Sequence, residues 1–149
     1  MMKFGYVVAL VAVAAVATSP ALADGALAVG STSDVAKDGI AVGTSINYKT
    51  ADEAAQAALR RCRDYKPAPK AAAQCRSVGT FRGECYAVSF DPKEGTPGAG
   101  WAIASTKSLA EERALANCQI TAGEGRRDFC RIEESKCDCR GDKSKCDEK

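Results

Sequence analysis

Two stretches of the chain share one order of apolar and polar residues, and both predict a short helix. Ser108 to Cys118 and Thr50 to Cys62 each begin with a hydroxyl residue, and Glu follows three residues later. This spacing is the capping box that marks a helix start. The apolar residues recur at helical spacing and end on the cysteine, so the chain uses one helical unit twice. These residues are Ala51, Ala54, Ala55, Ala58, Leu59 and Cys62 in the first stretch and Ala110, Ala114, Leu115 and Cys118 in the second.

Each predicted helix follows two segments in which large and small residues alternate, which is the period of a β-strand. The segments are residues 26–30, 39–43, 86–90 and 100–104, and each consecutive pair predicts a hairpin. Their small residues would let an alanine-rich helix lie close to the sheet. Their large residues would fill the opposite face, and these are Leu27, Val29, Ile40, Val42, Val88, Trp101 and Ile103. After each helix a cysteine, Cys75 or Cys130, opens a further strand-like segment.

These elements predict an α+β fold of two pseudo-repeated β-β-α-(β) units, residues 26–82 and 85–137. We expect the units to form a small antiparallel sheet packed by two short helices, within a single domain over residues 24–137. Beyond Ile132 the chain is densely charged and lacks apolar periodicity. We therefore expect a stretch that only a cross-link would order, with residues 138–149 as a charged, cysteine-containing tail.

Residues 1–23 have the features of a secretory signal peptide. Lys3 supplies an early positive charge, residues 7–17 are apolar, and Ala21-Leu22-Ala23 is a small-x-small cleavage site. A membrane anchor is the alternative, but the apolar run is shorter than the ~20 residues that span a bilayer. We expect a mature chain that begins near Asp24, is secreted or periplasmic, and has no membrane span.

All eight cysteines follow the predicted signal peptide, and an even number in a small exported chain favours disulfides. Cys62 and Cys75 stand 13 positions apart, and Cys118 and Cys130 stand 12 positions apart. The repeat therefore predicts these two pairs, in which each helix end is stapled to the strand that follows.

The repeat does not fix the pairing of the other four cysteines. We expect Cys139 with Cys146 in a short loop of the tail, which leaves Cys85, just before a strand, to meet Cys137, just after the last one. The alternative is a thiolate metal site in this last stretch. Its ligands would be Cys137, Cys139, Cys146 and either Asp142 or Asp147.

The charge balance of the chain argues against nucleic acid as a partner. Lys and Arg number 21 and Asp and Glu number 19, and loss of Lys3 with the signal peptide leaves 20 against 19. Basic residues nevertheless cluster around the first helix end and its loop, where they form a candidate binding surface. A solvated face is the alternative, because helix C-termini favour cations. The six residues are Arg60, Arg61, Arg63, Lys66, Lys70 and Arg76.

The sequence contains no recognisable catalytic arrangement. It has no histidine, no SxxK spacing and no GxSxG motif, so Ser-His, Cys-His and His-metal sites are excluded. The glycines of residues 95–100 precede a strand, which favours a hairpin turn over a phosphate loop. Trp101 is either a core residue of its strand or an exposed binding anchor. We expect no catalytic residue and no cofactor.

The AxAV strand at 26–29, the WAIA strand at 101–104, the helix AEERALANC and a cysteine a dozen residues later resemble a bacterial secreted family known as domain of unknown function 4189. The resemblance covers residues 26–137, and residues 100–118 are its most specific part. The first copy matches more loosely, because its helix starts two residues earlier relative to its cysteine. The resemblance implies export, an α+β repeat and disulfides, and it implies no activity.

These observations favour an exported, non-enzymatic, disulfide-stabilised domain that binds an unknown protein or an anionic surface component. An inhibitor of a secreted enzyme or toxin is a narrower alternative, since a rigid scaffold with protruding loops suits preorganised docking. An enzyme of unrecognised chemistry is the remaining alternative.

Overall fold

The structure, a computed structural model, describes residues 25–46 and 48–138. The predicted signal peptide, Cys139 and Cys146 lie outside these residues. The strands are β1 (Gly25–Ser31), β2 (Ile40–Ile46), β3 (Arg76–Phe81), β4 (Cys85–Phe90), β5 (Ala99–Ala104) and β6 (Arg131–Cys137). The helices are α1 (Val35–Asp38), α2 (Ala51–Arg63), α3 (Pro69–Ala72) and α4 (Lys107–Ala122), followed by a 3-10 segment, Glu124–Phe129.

Each unit forms its own three-stranded antiparallel sheet. The strand orders are β2-β1-β3 and β5-β4-β6, so the first strand of each unit lies in the middle. The α+β class and the repeated β-β-α-β order are confirmed, and the six strands are divided between two sheets. The sequence analysis missed a strand in the charged stretch after Ile132, because β6 runs to Cys137 and pairs with β4 along its length. The predicted cross-link is present as well, since Cys85–Cys137 joins the same two strands.

The two long helices are matched in length from cap to cysteine. The Glu53 N–H donates to Thr50 Oγ1 (3.2 Å), which confirms the predicted start of α2. The start predicted for α4 at Ser108 is wrong, because the Leu109 N–H donates to Thr106 Oγ1 (3.2 Å) and Thr106 is the cap. β5 ends at Ala104, so the chain is free to turn into the helix before Ser108 is reached. Thr50 and Thr106 each precede the cysteine of their helix by the same number of residues. The two-residue difference that the sequence analysis expected between the two copies is therefore absent.

Each long helix lies directly on its own sheet. Gly43 of β2 and Gly100 of β5 face the helices, and a Cβ at either position would overlap helix backbone at Ala58 and Cys62 or at Ala114 and Cys118. The surrounding residues are small as well, which confirms the predicted close approach. The first of these layers contains Ala26, Ala28, Ala41, Ala54, Ala58 and Cys62, and the second contains Cys85, Ala87, Ala104, Ala110 and Ala114.

The opposite faces of the two sheets pack against each other. This core joins residues of both units, so the fold has four layers in the order helix, sheet, sheet, helix. Trp101 is partly buried in this core, as the core interpretation of its strand position predicted. The buried members are Leu27, Val29, Phe81, Tyr86 and Val88, and Ile40, Val42, Val78, Trp101 and Ile103 pack around them.

Three disulfides confirm three of the four predicted pairs. Cys62–Cys75 and Cys118–Cys130 join each helix to the strand that follows, with Cα–Cα distances of 6.0 Å in both. Cys85–Cys137 joins β4 to β6, so Cys137 is not a thiolate ligand. Within residues 25–46 and 48–138, no group of three or more candidate ligands could hold a metal ion. In the same ranges, no helix is both long and apolar enough to cross a membrane.

Candidate functional site

The six predicted basic residues lie at the end of α2, in the loop that follows and at the start of β3, and all six are exposed. Three of them have partners within the fold. Arg61 donates to the carbonyl oxygen of Thr44, Lys70 pairs with Asp38 at 2.9 Å, and the Arg76 guanidinium lies 5.7 Å from the ring centre of Trp101. These three are therefore committed to local structure.

The other three, Arg60, Arg63 and Lys66, form no ion pair with any residue that the structure describes. They are carried on the last turn of α2 and the residues after it, and Cys62–Cys75 fixes this region to β3. Their charges complement the negative end of the helix dipole. We call Arg60, Arg63 and Lys66 the basic surface.

A cleft that the sequence analysis missed lies beside the basic surface. It runs between β2 of the first sheet and β6 of the second, with Tyr65 and Glu133 lining both of its adjoining sections. The sections have volumes of 220 Å³ and 310 Å³. The first is lined by Val35, Ala36, Gly39, Ile40, Tyr65, Pro67, Ala68, Phe90 and Glu133, and the second by Ile40, Val42, Tyr65, Glu133 and Glu134.

The cleft exists because the two edges of the sheet–sheet interface are filled differently. Each unit has a bulge between its central strand and its last strand, at Leu27/Ala28 and at Val88/Ser89. Aligning the bulges places Val78 of β3 opposite Glu133 of β6 as equivalent residues. Val78 packs into the core between the sheets, whereas Glu133 is exposed at the cleft.

The neighbouring strand differs in the same sense. Trp101 of β5 pairs with Val88, and Thr44 of β2 pairs with Leu27, so these two residues are also equivalent. Trp101 fills its edge of the interface, and the smaller Thr44 does not. We call the β3/β5 side the closed edge and the β2/β6 side the open edge.

The two carboxylates of the cleft have different surroundings. Glu134 accepts a hydrogen bond from the Tyr86 hydroxyl (2.9 Å) and pairs with Lys136 at 2.6 Å. Burial, followed by the charge of Glu134, raises the pKa of Tyr86 well above its ordinary value, so this phenol stays protonated and donates. Glu133 forms no ion pair with a described residue. It is therefore the carboxylate that can accept a cation from outside.

The sequence held one indication of the cleft, the adjacent pair Glu133-Glu134. Adjacent residues of a regular strand point to opposite faces, and the sequence analysis placed this pair in a charged stretch without a strand. The bulge at Val88/Ser89 adds one residue to β6 and brings both carboxylates to the same cleft. A bulge of this kind cannot be recognised without the register.

Comparison with known proteins identifies a family to which the chain is similar. The model described as Domain of unknown function (DUF4189) matches residues 14–137, which includes both units. The chain belongs to this family. No curated protein and no solved structure matches the chain. Membership in the domain of unknown function 4189 family assigns no activity to the basic surface or to the cleft.

Proposed function

We propose that the protein is an exported, non-enzymatic binding module that docks onto an acidic protein or an anionic surface component through the basic surface. The observation that carries this proposal is the contrast among the six clustered cations. Arg61, Lys70 and Arg76 are used by the fold, whereas Arg60, Arg63 and Lys66 are exposed and form no ion pair with described residues.

Export is supported by the disulfides together with the predicted signal peptide. The described residues contain three disulfides. Such bonds persist in oxidising compartments. The periplasm or the extracellular space meets this condition.

A binding role is supported by the chemistry of the side chains. The chain has no histidine, which is the commonest general base of enzymes. Asp91 is fully buried, but Arg126 binds both of its oxygens at 2.6 Å and 2.9 Å. These hydrogen bonds lower the pKa of Asp91 more than burial raises it, so Asp91 is ionised at neutral pH and serves the fold as the partner of Arg126.

The position of the basic surface suits docking. The helix end that carries it is anchored on one side by Cys62–Cys75 and on the other by the bond from Arg61 to Thr44. A preorganised surface loses little conformational entropy when it binds. Exposed charges at the rim of an interface mainly set the association rate and its salt dependence.

The test is a pull-down from envelope extract with the wild type and a triple reversal, Arg60→Glu, Arg63→Glu and Lys66→Glu, at low and moderate salt. The captured proteins and glycolipids are identified by mass spectrometry. We expect the reversal to abolish capture of the acidic component at low salt while thermal melts stay close to the wild type, since exposed charges each contribute at most about 1 kcal/mol to the fold.

A second triple reversal provides the matched control, since it makes the same change in net charge elsewhere. Lys93→Glu, Arg113→Glu and Arg127→Glu alter exposed residues outside the basic surface. Capture should persist in this control. Equal loss in both triple variants would show that only net charge matters, and equal capture by all three proteins would reduce the basic surface to a solvated face.

A further inference from the structure

We propose that the cleft at the open edge binds an arginine or lysine side chain carried by an extended segment of a partner protein. This site is distinct from the basic surface, and the proposal does not depend on it. The basic surface would attract an acidic group, whereas the cleft presents a carboxylate, an aromatic ring and an apolar floor to a basic one.

Each section of the cleft has room for one side chain. The two sections have volumes of 220 Å³ and 310 Å³, at or below the small end of the range of about 300–1,000 Å³ that is typical of sites for small organic molecules. A single side chain that enters from a longer segment would fit into either section.

The lining of the cleft matches the two parts of a long basic side chain. Ile40 and Val42 form an apolar floor on which an aliphatic stem can lie. Tyr65, which is 40% exposed, offers its ring to a cation. Glu133 offers a carboxylate that has no cation of its own among the described residues.

Two cations of β6 already have partners. Lys136 pairs with Glu134 at 2.6 Å, and Arg131 lies over the ring of Phe90, 5.3 Å from its centre. Lys66, which stands between Tyr65 and Pro67 in the chain, is exposed and forms no ion pair with Glu133. The charge of Glu133 is therefore available to an incoming group, and it favours a basic occupant over an acidic one.

At the closed edge, a guanidinium of the chain itself already lies beside an aromatic ring. There Arg76 lies over Trp101, and Val78 fills the place that Glu133 has at the open edge. At the closed edge, the chain itself provides both the cation, Arg76, and the apolar side chain, Val78. The open edge has the aromatic ring, in Tyr65, and the carboxylate, but it lacks the filling.

The backbone of β2 explains why the occupant should be extended. β2 is an outer strand, and no other described strand pairs with its free edge. Such an edge can accept an added strand. Arg61 already occupies the Thr44 carbonyl, so pairing is confined to the Ile40 end of β2, which lines the cleft. A strand added there would direct alternate side chains into the cleft.

The test uses a short probe peptide, acetyl-Thr-Val-Arg-Val-Thr-amide, titrated into the oxidised, isotope-labelled protein and followed by NMR. Two matched probes replace the central Arg with citrulline, which keeps the shape without the charge, or with Glu. We expect the Arg probe to shift the amide resonances of Val42, Tyr65 and Glu133 in a saturable manner. The citrulline probe should bind about fivefold more weakly, and the Glu probe should not bind.

Variants of the cleft sharpen the test. Glu133→Gln should weaken the Arg probe about fivefold and remove its preference over citrulline. Tyr65→Ala should weaken it about threefold, whereas Tyr65→Phe should keep the wild-type affinity because the ring faces the cation. Glu112→Gln removes an exposed carboxylate of α4, away from the cleft, and should leave binding unchanged. Glu133→Val copies the closed edge and should abolish binding while the melting temperature is kept.

Several outcomes would overturn the proposal. They are absence of saturable binding, equal affinity for the Arg and citrulline probes, and shifts confined to the basic surface. Shifts of Tyr65 and Glu133 caused by deleting residues 139–149, without any peptide, would assign the cleft to the chain's own C-terminal segment. Shifts that depend on protein concentration alone would assign it to a second copy of the chain.

Discussion

The two units have the same strand order, the same helix length from cap to cysteine and the same disulfide across the loop. They differ in how the end of the central strand contacts the segment that follows the long helix. In the first unit, Gly30 at the end of β1 lies against the Ala71 carbonyl, and no side chain would fit between them. The equivalent place in the second unit holds Asp91 and Arg126, joined by two hydrogen bonds of 2.6 Å and 2.9 Å. Equivalent positions are thus joined by close approach of the backbone in the first unit and by an ion pair between side chains in the second.

The third strands differ in a similar way. β3 contributes Val78 and Phe81 to the core between the sheets, whereas β6 contributes Glu133 and Lys136 at the equivalent positions. A repeated backbone therefore leaves each copy free to diverge wherever a position is not needed for the helix–sheet contact. The glycines under the helices, Gly43 and Gly100, do not diverge, because a Cβ would overlap helix backbone at either one.

The largest effect is expected from the disulfide that only the second unit has. Cys85→Ala with Cys137→Ala opens a loop of 52 positions, and the chain-entropy model gives a loss of about 4 kcal/mol. Removing Cys62–Cys75 or Cys118–Cys130 should each cost about 3 kcal/mol, because their loops span only 13 and 12 positions. Urea unfolding of the three double variants measures these losses. If removal of either short-loop disulfide lowered the free energy of unfolding more than removal of Cys85–Cys137, native-state strain or residual structure in the unfolded chain would matter more than loop length.

Substitution of the glycines beneath the helices should have nearly equal effects in the two units. Gly43→Ala and Gly100→Ala each force a helix away from its sheet, and we expect about 3 kcal/mol of destabilisation in both. Gly125→Ala is the control, since a Cβ there would meet no atom within 4 Å. Urea midpoints give the comparison. A small effect at one of the two sites would mean that its helix can shift without loss of packing.

Removal of one partner of the buried ion pair should cost somewhat less. Asp91 is fully buried and the Arg126 side chain is 21% exposed, so Arg126→Ala should destabilise the fold by about 2–3 kcal/mol by leaving the carboxylate unpaired. The double variant Asp91→Gly with Arg126→Ala copies the first unit and should recover part of this loss. Urea unfolding of the single variants and the double variant completes the cycle. A double variant less stable than Arg126→Ala would contradict the equivalence of the two sites.

The same pair predicts a difference in acid stability. Hydrogen bonds from Arg126 hold the pKa of Asp91 below its ordinary value. Its contribution is therefore fully present above the ordinary carboxyl pKa of about 3.9 and is lost as the pH falls through the lowered value. Between about pH 4 and pH 2, the wild type should lose more free energy of unfolding than the double variant does. Parallel acid-dependence curves would show that Asp91 is not the titrating group.

The smallest effects concern the helix caps. Thr50→Ala and Thr106→Ala each remove a hydroxyl that accepts one N–H of the first helical turn, and each should cost about 1 kcal/mol. Ser108→Ala should be nearly neutral, because Ser108 lies within the first turn of α4. Thermal melts of the three variants decide the point. A cost for Ser108→Ala as large as that for Thr106→Ala would restore the start that the sequence pattern indicated.

The sequence determined the elements of each unit and the two disulfides across its loop. These depend on residues close together in the chain: alternation in the strands, helical spacing that ends on Cys62 or Cys118, and a cysteine a dozen positions later. Local periodicity expresses which face of an element is buried, so it can be recovered without the fold. The start of α4 was missed because Thr106 and Ser108 are both good caps, and only the end of β5 decides between them.

The tertiary structure alone decided how the units meet. Division of the strands into two stacked sheets, the pairing of Asp91 with Arg126 and the open edge with Glu133 all depend on residues that are distant in the chain. Their positions follow from strand register, and one bulge moves a side chain from one face to the other. An alternating pattern shows that a strand has a buried face. It does not show which sheet covers that face, and so Val78 and Glu133, equivalent in the backbone, could be told apart as core and cleft only when the two sheets were stacked.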